Sequence, residues 1–333
     1  EAIAYSNDPA HAGSPPDLGK HQAEEMGAKR YDDGAILGPT KTHGPVTGVV
    51  VRDGYLVHEW GTPEQVDMTF SVSKSFLSTV CGLAWDRGLI RDLSDRVGEY
   101  VDDGGYDSQH NAQITWDHSL RQITEWDGTL WDKPYAAGNP DDVLRPPEPP
   151  GTYYEYNDVR VNRFALSLLR VWKRPLPEIL KADVMDLIGA SDSWQWHGYR
   201  NSWVTMDGKQ VQSVSGGGHW GGGMWISARD LARFGYLCLR RGNWNGRQIF
   251  SEDWVDLATT PTELRPTYGF MNWFLNTDRQ LIPSAPEGHY YHGGAGTNRG
   301  WVAPELDLVI VSRWIAGEFF DGFVKRVLAA VEA

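Results

Sequence analysis

Cysteine is scarce in this 333-residue chain: Cys81 and Cys238 lie in apolar, helix-like surroundings, and neither has ligand spacing to another cysteine or histidine. Both are expected to be buried free thiols, and no metal site is expected. Basic charge is also in deficit. With 31 Lys and Arg against 44 Asp and Glu, the net charge of -13 repels phosphate backbones and argues against nucleic acid as a partner. No apolar run reaches the ~18 residues needed to cross a bilayer, so no membrane span is expected. Position 1 is Glu rather than Met, which is compatible with a trimmed leader and leaves both cytoplasm and periplasm open. Neither a GxSxG elbow nor an HExxH pair occurs, against an α/β-hydrolase triad and a zinc peptidase. The glycine-rich "HGGAGTNRG" lacks the spacing and following helix of a dinucleotide loop, and no cofactor is expected.

What is present is a 41% hydrophobic chain, enough for a substantial core. Residues 1–45 are polar and rich in Gly, Pro and Asp, and read as a surface arm. "GVVVRDGYLVHEWG" gives two β-rich runs around Asp53-Gly54, a strong hairpin signal. "SKSFLSTVCGLAWDRG" then has helical apolar spacing and ends near Gly88. Residues 89–214 read as helix and loop. A helix opened by Ser227 follows the glycine cluster "SGGGHWGGG", and strand patterns return in "HYYHGGA", "RGWVAPE" and "LDLVIVSRW" before a last amphipathic helix. The expectation is an α+β fold. Residues 1–88 and 215–333 would form a discontinuous sheet domain, with a mainly helical insertion over 89–214.

Chemistry concentrates at "TFSVSKSFLSTV". Ser71 stands where an extended segment meets a helix, so its Oγ and N–H lie at the positive end of the helix dipole. Lys74, one turn on, shares its face. Burial at a helix N-terminus disfavours an ammonium and pushes a lysine toward use as a base. In the alternative reading Ser71 merely caps the helix and Lys74 reaches out to water.

Ser71-Val72-Ser73-Lys74, Tyr156-Asn157-Asp158 after Pro150-Gly151-Thr152, and His292-Gly293-Gly294 stand in the order of three sequence elements. In these the chain resembles the serine β-lactamase and penicillin-binding-protein superfamily. The likeness is to the branch of class C β-lactamases, esterases and nylon-oligomer (6-aminohexanoate-dimer) hydrolases. It implies a β-lactamase-like (DD-peptidase-like) fold, an antiparallel sheet flanked by helices with a mainly helical subdomain. By this resemblance Ser71 is the acylated nucleophile and Lys74 and Tyr156 its partners, with the base left open between them. The backbone N–H groups of Ser71 and Ala295 would form the oxyanion hole.

Two departures bear on substrate. His292 and Gly293 stand where β-lactamases carry Lys and Thr to meet the drug's carboxylate, so β-lactam turnover is expected to be weak or absent. Asp158 replaces the usual Asn; if it reaches Lys74, it raises that lysine's pKa against use as a neutral base. Asp158, His292, Gly293, Gly294, Trp131 and Trp220 are the expected substrate contacts, with Trp126, Trp225 and Trp273 nearby. An uncharged or cationic acyl group is expected to fit best. The resulting expectation is a serine hydrolase acting on small carboxylic esters. Alternatives are an amidase or oligomer hydrolase, a D-peptide carboxypeptidase, and an inactive binding scaffold of the same fold. The partner is a small-molecule ester or amide, and the oligomeric state is left open.

Overall fold

The computed structural model describes residues 1–13, 17, 31–138 and 145–331. A short helix, α1 (Ala2–Ser6), precedes β1 (Thr47–Arg52) and β2 (Tyr55–Trp60). Between these strands Asp53 and Gly54 both take positive φ, 52° and 80°. This turn matches the natural twist of a hairpin, and Asp-Gly adopts it at little steric cost. After β3 (Asp67–Met68), one 3-10 turn over Phe70–Val72 opens α2 (Ser73–Asp86). All of α2 from Ser73 to Ala84 is buried. Two of its polar side chains fit the interior by bonding backbone: Ser73 Oγ donates to the Phe70 carbonyl at 2.6 Å and Thr79 Oγ1 to the Ser75 carbonyl at 3.0 Å.

Next come α3 (Trp116–Leu120), the small pair β4 (Thr129–Leu130) and β5 (Lys133–Pro134), α4 (Asp158–Trp172) and α5 (Leu176–Leu180). A correction applies to the end of the 89–214 segment, read as helix and loop. There β6 (Gln195–Met206) and β7 (Lys209–Val214) form a hairpin. With β8 (Gly223–Ile226) they build a four-stranded sheet in the order β3-β8-β6-β7. Pairing between β6 and β7 skips from Gly198 to Trp203, which blurs the alternation by which a strand shows itself.

Ser227 caps α6 (Ala228–Leu239) by accepting from the Asp230 N–H. Beyond it lie β9 (Asn243–Trp244), β10 (Arg247–Gln248), α7 (Glu252–Ala258), β11 (Trp273–Leu275), β12 (Tyr290–Gly294), β13 (Asn298–Ala303), β14 (Leu308–Arg313) and α8 (Phe320–Val331). The main sheet is antiparallel in the order β11-β12-β13-β14-β1-β2, with Thr47 opposite Arg313, so early and late chain meet at its centre. One face buries Val49, Val302, Val309 and Val311 with Leu231 and Phe234 of α6. On the other, Trp60, Tyr291, Trp301 and Ile310 pack with Phe320, Phe323 and Val324 of α8. Every β14 residue is buried, as the unbroken "LVIVSR" requires of a strand covered on both sides.

The surface arm expected over 1–45 also needs correction: Asp32 and Leu37 are buried. Asp32 accepts from Lys133 Nζ and from Trp220 Nε1, each at 2.7 Å, and ties the arm to the interior. The rest of that arm, 14–16 and 18–30, lies outside the described residues. Both cysteines are buried and free. Among the described residues no helix is long and apolar enough to cross a membrane.

Candidate active site

The turn that carries Ser71 is held from below. Thr69 donates through its N–H at 2.9 Å and its hydroxyl at 2.8 Å to the Met224 carbonyl of β8, and Ser73 Oγ accepts from the Met224 N–H at 2.7 Å. Phe70, between these anchors, has φ 50°, in the left-handed region. A bulky side chain there costs about 1–3 kcal/mol, which the surrounding bonds offset. The strained residue immediately precedes Ser71. Ser71 is therefore presented half-buried at the mouth of α2, with Lys74 beneath it.

Lys74 is fully buried. Its Nζ donates to Ser71 Oγ at 2.8 Å and to Asp158 Oδ1 at 2.7 Å, and sits 4.4 Å from the centroid of the Tyr156 ring. The capping reading of this stretch is thereby excluded, because the Ser71 hydroxyl is engaged by the lysine and the lysine does not reach solvent. Asp158 is the first residue of α4, next to the cap Asn157, whose side chain accepts from the N–H groups of Val159 and Arg160. Burial presses the Lys74 ammonium toward neutrality, but the Asp158 carboxylate, with a contribution from Tyr156, outweighs it and raises the lysine above its ordinary value. For Asp158, burial pushes upward, yet Lys74 and then His219 pull harder, and its pKa is lowered. The pair is charged. His219 Nδ1 lies 3.6 Å from Asp158 Oδ2. The glycine cluster makes room for this arrangement, since a Cβ on Gly217 would run into Asp158 Oδ1 and Lys74 Nζ.

On the facing wall, the end of β12 lies against the Ser71 turn. A Cβ on Gly294 would overlap the Thr69 carbonyl and stand 3.1 Å from the Ser71 nitrogen. Asn272 joins the two walls by donating from Nδ2 to the Ser71 carbonyl at 2.8 Å and to the Gly293 carbonyl at 2.6 Å. Its own amide oxygen accepts from the Tyr268 hydroxyl at 3.0 Å, and that hydroxyl accepts from Gln122 Nε2 at 2.5 Å. Gln122 Oε1 in turn accepts from the Asn157 N–H at 3.0 Å, beside Tyr156. One polar chain thus links the turn, β12 and the Tyr156 segment.

Ser71, Tyr156, Phe274, Tyr291, Gly293, Gly294, Ala295 and Arg299 line a cavity of about 320 Å³, at the small end of small-molecule sites. The Phe274 and Tyr291 rings stack at 5.1 Å. A Cβ on Gly293 would meet both rings, at 3.0 Å and 2.8 Å, so a side chain there would displace them.

A family model described as Beta-lactamase matches residues 39–312. The chain belongs to the beta-lactamase family. To the 6-aminohexanoate-dimer hydrolase of Paenarthrobacter ureafaciens this family member is 27% identical over 290 residues, 76% of this chain and 67% of that protein. An uncharacterized protein of Alkalihalophilus pseudofirmus is 33% identical over 109 residues, an alignment spanning 30% of this chain and 31% of the relative's length. Among solved structures, EstCE1, described as a hydrolase with promiscuous acyltransferase activity, matches with TM-score 0.63 at 15% identity, covering 95% of this chain and 98% of that one. A penicillin-binding-protein homologue from Caulobacter crescentus matches with TM-score 0.62 at 14% identity, over 96% and 99%. At these identities the structures establish the beta-lactamase-like fold.

Within this beta-lactamase-family fold, Ser71, Lys74 and Tyr156 meet as the sequence elements predict, and Gly293, Gly294 and Ala295 form one rim. Other expected substrate contacts are corrected. His292 is fully buried against Phe234 and Trp273, because alternation along β12 sends it to the α6 face when Gly293 faces the cavity. Trp220 is buried with its indole N–H on Asp32, and Trp131 packs edge-on against Tyr199; neither lines the cavity. Asp158 meets the lysine rather than the cavity wall. The aromatic lining comes instead from Phe274 and Tyr291, and the wall-joining amide from Asn272. Nothing in the local pattern around "FMNWF" marks these residues, whose importance arises from pairing across β11 and β12.

Proposed function

We propose that this beta-lactamase-family chain is a serine hydrolase that forms an acyl-enzyme on Ser71 and acts on small carboxylic esters. The observation that carries this reading is the Ser71 hydroxyl on a cavity wall, 2.8 Å from a buried ammonium. Because Asp158 keeps Lys74 charged, the lysine is a donor to Ser71 Oγ and cannot take its proton. That leaves Tyr156 as the base: as phenolate it accepts the Ser71 proton while Oγ bonds to the ester carbonyl carbon. The Lys74 ammonium supplies the counter-charge. Carbonyl charge in the tetrahedral intermediate falls on the backbone N–H groups of Ser71 and Ala295. Tyr156 then protonates the departing alkoxide. In the second half, water gives its proton to Tyr156, adds to the acyl carbon, and Ser71 leaves with that proton restored.

Short amides are the second reading, favoured by the relation to a 6-aminohexanoate-dimer hydrolase. With His292 in the core and no hydroxyl on Gly293, penicillins are expected to be poor substrates. The decisive measurement is turnover of p-nitrophenyl acetate and butyrate together with labelling by a fluorophosphonate probe. Wild type is expected to do both and Ser71→Ala neither. Absence of turnover and labelling in wild type would instead favour an inactive scaffold.

A further inference from the structure

Asp158 has two carboxylate oxygens, and the Lys74 ammonium takes one of them, Oδ1. The other, Oδ2, faces His219, whose Nδ1 is 3.6 Å away. That separation is within ion-pair reach but longer than a hydrogen bond, so the attraction grows when the ring takes up a proton. Against burial, Lys74 and then His219 hold the Asp158 carboxylate ionised. Of these three side chains the imidazole is the one in touch with solvent, 24% exposed against 7% for Asp158 and none for Lys74. One carboxylate therefore couples a sealed ammonium to a group that answers to pH.

The loop that carries the ring is fixed from both sides. Gly218, at φ 68°, donates its N–H to Ser215 Oγ at 3.0 Å, and its carbonyl accepts from the Gly221 N–H at 3.2 Å. The N–H groups of Leu37 and Gly38 both donate to the Trp220 carbonyl at 2.9 Å. The His219 ring stands edge-on to the Trp220 indole at 4.5 Å, and Asp32 holds that indole. Asp158 of α4 faces the ring, with Lys74 of α2 and then Tyr156 behind it. Around the Trp220 indole stand Asp32, its partner Lys133 of β5, and Tyr199 of β6, whose hydroxyl burial keeps neutral.

We infer that His219 is a positioning residue that acts through Asp158: once protonated, it shares the carboxylate and leaves more of the Lys74 charge for Ser71 Oγ and the Tyr156 phenolate. This rests on the hydrolase reading, in which Tyr156 is the base and Lys74 its counter-charge. With the ring neutral, Asp158 cancels much of the ammonium's field. With the ring charged, the cluster of Lys74, Asp158 and His219 carries a net positive charge, which stabilises a phenolate and the oxyanion formed on the substrate. The site thereby keeps its base further into acid than the Lys74–Asp158 pair alone would allow.

The test compares wild type with His219→Phe, which keeps a ring against Trp220 and cannot be charged, in kcat/KM for p-nitrophenyl acetate from about pH 8 to about pH 5. The ratio of wild type to variant is expected to rise by about threefold or more toward acid. A ratio that is constant with pH describes packing alone and overturns the inference. The same comparison in an Asp158→Asn background should lose its pH trend, and a trend that survives there overturns action through Asp158. A second readout needs no turnover: nitrogen NMR of the His219 ring should show its titration midpoint falling by about half a pH unit or more in Asp158→Asn. An unmoved midpoint overturns the coupling. Absence of ester turnover in wild type at every pH would sink the hydrolase reading, while the ring titration still decides whether His219 and Asp158 are linked.

Discussion

Lys74 is a lysine that burial alone would make neutral and that one carboxylate keeps charged. Removing only the lysine leaves Asp158 uncompensated in the interior, so Lys74→Met is expected to lose about 3–5 kcal/mol of stability. Lys74→Met/Asp158→Leu should recover most of it in chemical denaturation while ester turnover stays at least a hundredfold down. Recovery of turnover with stability would reduce Lys74 to a packing role. The raised Lys74 and lowered Asp158 values also set the pH range of the pair. Its stabilisation is complete above the ordinary Asp value of 3.8 and is lost as pH falls through the lower folded value. At the other limit it is complete below the ordinary Lys value of 10.5 and fades as pH rises through the raised one. Ser71, Lys74 and Tyr156 come together in the structure, and the sequence points to them through the order of three elements in which it resembles the serine β-lactamase superfamily, since the Ser-x-x-Lys spacing alone is a weak signal. His292 was misread although strand alternation held the answer, since a cavity-facing Gly293 forces its neighbour the other way.

Among the elements, the hairpin of β1 and β2 and the Ser227 cap of α6 follow from two or three adjacent residues, and so read directly from sequence. The β6–β7 hairpin does not, because its irregular pairing erases the period-two pattern, and α2 owes its burial to partners remote in the chain. The seam between the Ser71 turn and β12 belongs to the same category. Asn272→Ala, which strips two carbonyls of their shared donor, is expected to destabilise by about 1–3 kcal/mol. It should also slow fluorophosphonate labelling of Ser71 by about tenfold or more, since small displacements at such sites are expensive in rate. Unchanged labelling in a folded variant would show that the seam does not position the serine.

For the whole molecule, the sheet joins early and late strands through β1 and β14, and its two faces carry separate clusters under α6 and α8. The α6 face holds His292, whose burial lowers its pKa to about 3. A histidine depressed on folding binds a proton more readily in the unfolded chain. Its contribution to stability is therefore present above the ordinary value of 6.5 and is lost progressively as pH falls toward 3. Denaturation midpoints across pH 7 to 4 should show His292→Phe with a flatter acid limb, by up to about 1.4 kcal/mol per pH unit. An identical slope would mean that the ring finds a proton partner in the native core.

The single side-chain amide of Asn272 rivets the Ser71 turn to the strand beside it. Widening at that joint would cost two bonds at once, so a roomier cavity has to gain its space on the side of Phe274 and Tyr291. Engineering toward larger substrates should accordingly trim Phe274 or Tyr291 and leave the rivet in place.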